Sequence, residues 1–270
     1  METVKSLEDI EKLEKNMVTG NPEMNKSQIT FKGRNNHLYC EGNVKLNNAK
    51  FTFNGDNSIV FLSSAQKSQY SFNLVIYNDS TFFIGREGNM SSPININIQE
   101  NQNVIIGAGV TISSGVNIRT ADIYPIYDNE TKQRVNFAKS VFIGDHVWIG
   151  HLAYISRGAQ IGSGSIIENY SFVQHNARIP SNTIARGNPV MIERGGVFYT
   201  DDFLAHNRSE ASLQTKDYKS DVFIYEFNDE ETLDMNKIDQ ILKQLDSESR
   251  LEFIQKLFVR NKRVNRFTIK

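Results

Sequence analysis

The sequence contains few of the residues that most readily reveal a compartment or a metal-dependent chemistry. Cys40 is the only cysteine among 270 residues, so an intrachain disulfide is excluded and a reducing compartment is favoured. Thirty basic and thirty-one acidic side chains give a net charge of −1, which indicates no general attraction to nucleic acid or membranes. The five histidines show no metal-ligand spacing, so we expect no metal site.

Long apolar stretches are also missing. No run approaches the ~18 residues that a membrane-spanning helix needs. The first residues are charged, and they carry no apolar segment of the kind found in signal peptides. We therefore expect a soluble, cytoplasmic protein.

The strongest pattern that is present is a six-residue repeat between Val141 and Arg194. A period of six fits neither a helix, whose apolar positions recur every three to four residues, nor a simple strand, where they recur every two. Short strands joined by turns and stacked as a solenoid do fit, because each rung buries its aliphatic residue against the neighbouring rungs. The repeated aliphatic residues are Ile143, Ile149, Ile155, Ile161, Ile167, Val173 and Ile179.

A longer repeat precedes it. Ile29-Thr-Phe-Lys-Gly33 and Phe51-Thr-Phe-Asn-Gly55 are the same phrase at an offset that also aligns two further columns of apolar residues. We interpret residues 29–105 as looser coils of the same solenoid, with Asn- and Gly-rich corners at positive φ. Cys40 falls in one column, so we expect it to be a buried structural residue. The columns are Leu38, Val60, Phe82, Val104 and Cys40, Leu62, Ile84, Ile106.

The hexapeptide units, such as Ile143-Gly-Asp-His-Val-Trp148, resemble those of left-handed β-helix acyltransferases. Within that family the chain is most similar to the galactoside and capsular-polysaccharide O-acetyltransferases, because a rung, a long loop, a Val147-Trp-Ile-Gly150 rung and Gly187-Asn-Pro189 follow one another in that order. The resemblance implies a mainly β protein whose left-handed parallel β-helix spans residues 23–200. It also implies transfer of an acetyl group from acetyl-CoA to a hydroxyl of a cell-surface (capsular) polysaccharide or its sugar precursor. Such proteins assemble as homotrimers with their active sites between subunits.

The long loop runs from about Arg119 to Ser140 and interrupts otherwise regular rungs. Long loops on rigid scaffolds tend to carry function. In the resembling enzymes this loop carries a His-Pro pair whose His is the general base, but here the pair is Tyr124-Pro125. A phenol, with an ordinary pKa of ~10, is a poorer base at neutral pH than an imidazole near ~6.5. The candidate catalytic residues are Tyr124, Asp122, Trp148 and, as a substitute base, His146.

This departure leaves alternatives open. The chain could be a catalytically degenerate homologue that acts as a glycan-binding or assembly subunit, or a variant sequence in which the His was replaced. The family also commonly has a lysine after Gly-Asn-Pro-Ala that helps to hold coenzyme A, where this chain has Met191. The resemblance then assigns coenzyme A binding to other residues, with arginines for its phosphates. The candidates are Arg157, Ala159, Gly162, Gly164, Arg186, Gly187 and Arg194.

The two ends of the chain do not follow the repeat. Residues 1–22 contain a predicted helix over residues 6–16 that Ser6 and Asp9 would cap. Residues 201–270 form a predicted C-terminal extension with a linker over residues 210–221, a strand over Val222–Phe227 and helices over Leu233–Leu245 and Ser249–Val259. Its basic tail either complements a helix dipole or attracts an anionic glycan or a membrane-bound acceptor.

Overall fold

The chain winds into a solenoid, and the strands of successive coils stack into three faces. The computed structural model describes residues 1–66, 68–90, 92–202 and 215–270, so residues 210–214 of the predicted linker fall outside it. Face A contains β1 (Glu2–Val4), β4 (Gln28–Phe31), β7 (Lys50–Phe53), β9 (Phe72–Ile76), β12 (Ile94–Ile98), β15 (Asn117–Arg119), β18 (Tyr154–Ile155) and β21 (Phe172–Val173).

The other two faces repeat the same stacking. Face B contains β2 (Met17–Thr19), β5 (His37–Cys40), β8 (Ile59–Leu62), β10 (Thr81–Ile84), β13 (Asn103–Ile106), β16 (Val141–Ile143), β19 (Gln160–Ile161) and β22 (Arg178–Ile179). Face C begins with the pair β3 (Glu23–Asn25) and β6 (Lys45–Asn47). It continues with β11 (Asn89–Met90), β14 (Thr111–Ile112), β17 (Trp148–Ile149), β20 (Ile166–Ile167), β23 (Thr183–Arg186) and β24 (Met191–Gly195).

The chain visits face B, then face C, then face A in every coil and so builds a solenoid of about eight turns. The prediction of a mainly β, left-handed solenoid with a small helical C-terminal part is confirmed. Both repeats fix its register. Phe51 lies opposite Ile29, and on face B Ile143, Ile161 and Ile179 are successive partners. All seven aliphatic residues of the short repeat are buried in the core, where their contact with the next coil stabilises the stack.

The corners have the expected positive φ at some positions and not at others. Asn35 and Asn57 have φ of 55° and 59°, as predicted, and Asn35 Nδ2 donates to Asn57 Oδ1 at 2.8 Å. Gly33 is not left-handed. A Cβ placed on it would lie 2.2 Å from the Gly55 oxygen, so close stacking of the coils is what requires glycine there. Cys40 is 3% exposed and burial raises the pKa of its thiol to about 12, which confirms a structural residue.

The N-terminal segment belongs to the solenoid more than predicted. Only α1 (Leu7–Ile10) is helical, beginning where the Asp9 carboxylate accepts the Ser6 N–H at 3.1 Å, so the helix predicted over residues 6–16 is too long. The Glu2 carboxylate accepts the backbone N–H groups of Glu14 and Lys15, which holds the following segment extended. Strands β1 and β2 pair with β4 and β5, so the predicted boundary at residue 22 is too late.

The C-terminal extension covers the outer side of face B. Its helices are α2 (Met235–Leu242) and α3 (Ser247–Ile254), and α3 continues as a π-helical turn over Gln255–Val259. Two helices were predicted here, and two are present. Their apolar side chains meet an outward-facing column of face B, and together they form a second core. This core consists of Ile59, Phe61, Phe83, Ile105, Phe142, Ile238, Leu242, Ile254, Phe258 and Phe267.

The predicted strand over Val222–Phe227 is wrong, because these residues pair with no strand in the described part of the chain. They contact a solenoid corner instead, where the Tyr225 N–H donates to Asn182 Oδ1 at 2.7 Å. Across residues 1–66, 68–90, 92–202 and 215–270, every helix is too short or too polar to cross a bilayer.

Candidate functional site

The inserted loop between β15 and β16 is organised by a side chain that the sequence analysis missed. Asn136 is 1% exposed. Its Nδ2 donates to Asp122 Oδ2 and to the Tyr124 carbonyl oxygen, both at 2.9 Å, and its Oδ1 accepts the Ile126 N–H at 2.7 Å. One amide therefore ties the two sides of the loop together around Tyr124. No local pattern distinguishes this asparagine from the others in the chain.

Two further contacts fix the loop to the solenoid and close its tip. Arg157 Nε donates to Asp122 Oδ2 at 3.2 Å, and the Arg157 side chain is only 13% exposed. Arg157, expected to bind coenzyme A, therefore already has a carboxylate partner in the loop. At the tip, Asp128 accepts hydrogen bonds from the backbone of Thr131 and Glu130, and these bonds hold the pKa of Asp128 below its usual value.

Replacing Asn136 by Ala should loosen the loop while leaving the solenoid folded. The hydrogen bonds of its amide are lost, and each buried polar group left unpaired costs about 1–3 kcal/mol. We expect faster proteolytic cleavage within residues 119–140 with little change in the melting temperature. Asn129→Ala, at the exposed hairpin tip, is the matched control. Equal cleavage rates in the two variants would contradict this role for Asn136.

The loop exposes an unusual amount of apolar surface. Tyr124 is 78% exposed and Ile123 is 66% exposed, and four other large side chains of the loop are more than half exposed. Several exposed large apolar side chains on one loop are typical of an interaction site. The four are Ile126, Tyr127, Val135 and Phe137.

The Val-Trp-Ile-Gly rung places Trp148 and His146 in different surroundings. Trp148 points outward from face C and is 40% exposed. His146 is 4% exposed, and its ring is stacked between Tyr199 at 4.1 Å and Phe223 at 4.0 Å. Its Nε2 lies 3.0 Å from the Tyr199 carbonyl oxygen. His146, expected as a substitute base, is therefore enclosed on both ring faces, by Tyr199 on one side and Phe223 on the other.

The candidate catalytic residues do not all meet within one chain. The loop with Asp122 and Tyr124 leaves the solenoid where the chain passes from face A to face B. Trp148 lies on face C, which is opposite that edge in a three-sided prism. One chain thus presents these candidate residues on two different sides of the prism.

The small residues expected to bind coenzyme A are poorly placed for it. The Ala159 side chain is fully buried in the core, because residues two positions before each repeated aliphatic also point inward. Gly162 is buried, and a Cβ there would lie 2.5 Å from Ser181 Oγ. A Cβ on Gly164 would lie 2.8 Å from Tyr225 of the C-terminal extension. These three positions therefore pack against neighbouring coils and against the extension, and they offer no open groove.

The remaining candidates lie together at the end of face C. Arg186 pairs with Glu193 at 3.1 Å, and Gly187 follows with φ of 101°. Arg194, on β24, has no ion-pair partner among the described residues. Within the described part of the chain, no group of three or more His, Cys, Asp or Glu residues could hold a metal ion.

Comparisons with known proteins agree with this architecture. A family model described as bacterial transferase hexapeptide (six repeats) matches residues 140–175. The polySia-specific acetyltransferase NeuO is 28% identical, with a TM-score of 0.61, over 74% of this chain and 95% of NeuO. The polysialic acid O-acetyltransferase OatWY is 22% identical, with a TM-score of 0.60, over 75% of this chain and 96% of OatWY. No curated protein sequence matches the chain.

The predicted resemblance to hexapeptide-repeat acyltransferases is thereby confirmed. NeuO aligns along almost its whole length, whereas about a quarter of this chain lies outside that alignment.

Proposed function

We propose that this chain, a hexapeptide-repeat β-solenoid acyltransferase, transfers an acetyl group from acetyl-CoA to a hydroxyl of a polysaccharide or its sugar precursor. The observation that carries the proposal is the similarity to NeuO, a polysialic-acid-specific acetyltransferase, over 95% of that enzyme at 28% identity. The position of the inserted loop supports it, because a polar excursion from a regular scaffold is where function is usually found.

The reaction needs few groups. The acceptor hydroxyl oxygen attacks the thioester carbonyl carbon, a base takes the hydroxyl proton, and the carbon–sulfur bond breaks as coenzyme A leaves as its thiol. Tyr124 is the proposed group at the acceptor hydroxyl, held there by Asn136 and by the Asp122–Arg157 pair. Trp148 packs against the acceptor or the pantetheine arm. His146 acts as a positioning residue, since its ring is covered on both sides.

Acetyl-CoA is a co-substrate in this proposal. Arg194 and Arg186, with Gly187 between β23 and β24, lie on the same face as Trp148 and are the proposed contacts for its phosphates. Arginine side chains bind phosphate groups through charge-assisted hydrogen bonds. The proposal places the reaction in the cytoplasm, as the single buried Cys40 favours.

The proposed active form is a homotrimer. The loop with Tyr124 and the rung with Trp148 are on opposite sides of one chain, so a complete site forms when the loop of one subunit reaches face C of the next. The exposed apolar residues of the loop fit such a contact. A head-to-tail interface of this kind closes into a ring.

Co-expression of two inactive variants should restore activity if the site lies between subunits. Tyr124→Ala removes the loop half and Trp148→Ala removes the face C half, so each variant alone should be inactive. With random mixing, about a quarter of the interfaces combine an intact loop with an intact face C, so activity should return to about a quarter of the wild-type value. Activity of a mixture no higher than that of either variant, at a trimer mass by light scattering, would contradict a shared site.

The function itself is tested by thiol release from acetyl-CoA. We expect release that depends on polysialic acid, much less with neutral dextran, and a higher melting temperature with coenzyme A. The second candidate function, a non-catalytic glycan-binding or assembly subunit, is favoured by Tyr124 at the position of the expected His. Polysialic acid binding with neither thiol release nor a coenzyme A shift would establish that function instead.

A further inference from the structure

A cavity of about 440 Å³ lies between face B and the C-terminal extension. Its apolar floor comes from Phe142 and Ile105 on the solenoid and from Leu233 and Phe267 of the extension. Volumes from about 300 Å³ upward are typical of ligand pockets, which combine apolar walls with a few directed polar groups. The cavity uses none of the proposed catalytic residues.

Planar polar side chains form its rim. Arg178 Nη1 donates to Gln160 Oε1 at 3.1 Å, and Gln160 Nε2 donates to Asn236 Oδ1 at 3.1 Å. This chain of hydrogen bonds links the solenoid to the extension. Its outer members retain unused donors, since the Arg178 guanidinium has five N–H groups in a fixed fork.

The charges of the lining are unevenly paired. Lys237 and Asp234 lie 3.5 Å apart, and Asp234 also accepts the first backbone N–H groups of α2, so their charges are compensated. Arg178, on the solenoid wall, and Asp229, on the extension wall, take part in no ion pair within the part of the chain that is described. Among the described residues, one wall thus presents a guanidinium and the other a carboxylate, each without an ion-pair partner.

We propose that this cavity binds one acidic sugar residue of an anionic glycan, apart from the residue that reacts. The Arg178 guanidinium binds the sugar carboxylate. Asp229 and the amides of Gln160 and Asn236 form hydrogen bonds with the sugar hydroxyl groups, and the apolar floor packs against the carbon face of the sugar ring. The inference rests on the proposed function in that it identifies the acceptor as a carboxylated polymer.

The cavity is well placed for a polymer acceptor. Gln160 follows Arg157 by three residues, and Arg157 holds the loop through Asp122. The rim therefore begins next to the edge of the prism that carries Tyr124. A glycan held in the cavity can extend one end toward that loop, which raises the local concentration of its reacting residues.

Binding is measured by fluorescence anisotropy of a fluorescein-labelled sialic acid oligomer, with a labelled dextran oligomer as the neutral probe and no acetyl-CoA present. Arg178→Ala should weaken binding of the acidic oligomer by about 10- to 100-fold, since it removes charged hydrogen bonds. Arg178→Lys keeps the charge but not the planar guanidinium, so its affinity for the acidic oligomer should lie between those of the wild type and Arg178→Ala. With the polymer as acceptor, Arg178→Ala should raise KM and leave kcat unchanged.

Lys256→Ala is the charge-matched control, because Lys256 is exposed on the extension outside the cavity. Unchanged affinity in Arg178→Ala, equal weakening by Lys256→Ala, or dextran binding as tight as that of the acidic oligomer would each overturn the assignment. The binding assay needs no catalysis. Loss of thiol release with intact Arg178-dependent binding therefore counts against the proposed reaction and not against this site.

Discussion

Tyr124→His is expected to raise the rate of acetyl transfer by about 100-fold or more, the usual contribution of a well-placed general base. The change restores the His-Pro pair that the resembling enzymes carry, and the rest of the loop is already in place. Asn136 bonds to the backbone oxygen of residue 124 and not to its side chain, so the substitution leaves the loop's hydrogen bonds intact. Tyr124 is 78% exposed, so the smaller ring creates no cavity.

The pH profile distinguishes a new base from an indirect effect. An imidazole acts as a base only when neutral, so the gain in Tyr124→His should be lost as the pH falls through about 6.5. Tyr127→His is the matched control, since Tyr127 is 58% exposed on the same loop. Thiol release with polysialic acid is the measurement. An equal gain in both variants, or no gain in Tyr124→His, would show that residue 124 is not where the acceptor proton is taken.

The repeats allowed the solenoid to be predicted because its core is periodic. Each coil buries the same kind of residue at the same position, so spacing alone predicts that Ile161 packs between Ile143 and Ile179. The N-terminal segment precedes these repeats, and the helix predicted there is too long. Ile10 and Leu13 suit one face of a helix, yet they pack against the end of the core beside strands β1 and β2.

The features that could not be predicted join residues far apart in sequence. The stack of Tyr199, His146 and Phe223 brings three non-periodic segments together, so its rings show no spacing. The amphipathic helices of the extension indicate an apolar partner but do not identify it. Face B supplies that partner through alternating outward residues such as Phe61 and Phe83. These residues form a second core on the outer side of the sheet.

A buried ion pair holds the extension to the rung that carries His146. Arg266 Nε and Nη2 donate to the two oxygens of Asp145, each at 2.9 Å, and Arg266 Nη1 donates to the Phe258 carbonyl oxygen at 2.6 Å. Both side chains are about 90% buried, so neither charge is well solvated if its partner is removed. The pair therefore contributes little on its own, but breaking it is costly.

Arg266→Met is expected to lower the free energy of unfolding by about 3–5 kcal/mol, because it leaves the Asp145 carboxylate buried without its partner. Urea unfolding measures this, and Arg263→Met, which removes an exposed charge, should change stability by less than about 0.5 kcal/mol. Asp145→Asn combined with Arg266→Met should recover much of the loss, since no unpaired charge remains. Trp148, the only tryptophan, lies three residues after Asp145 in the sequence. The fluorescence of Trp148 therefore reports on the rung next to the ion pair. A fluorescence change that precedes global unfolding in Arg266→Met would show that the extension, through this pair, holds face C of the site in place.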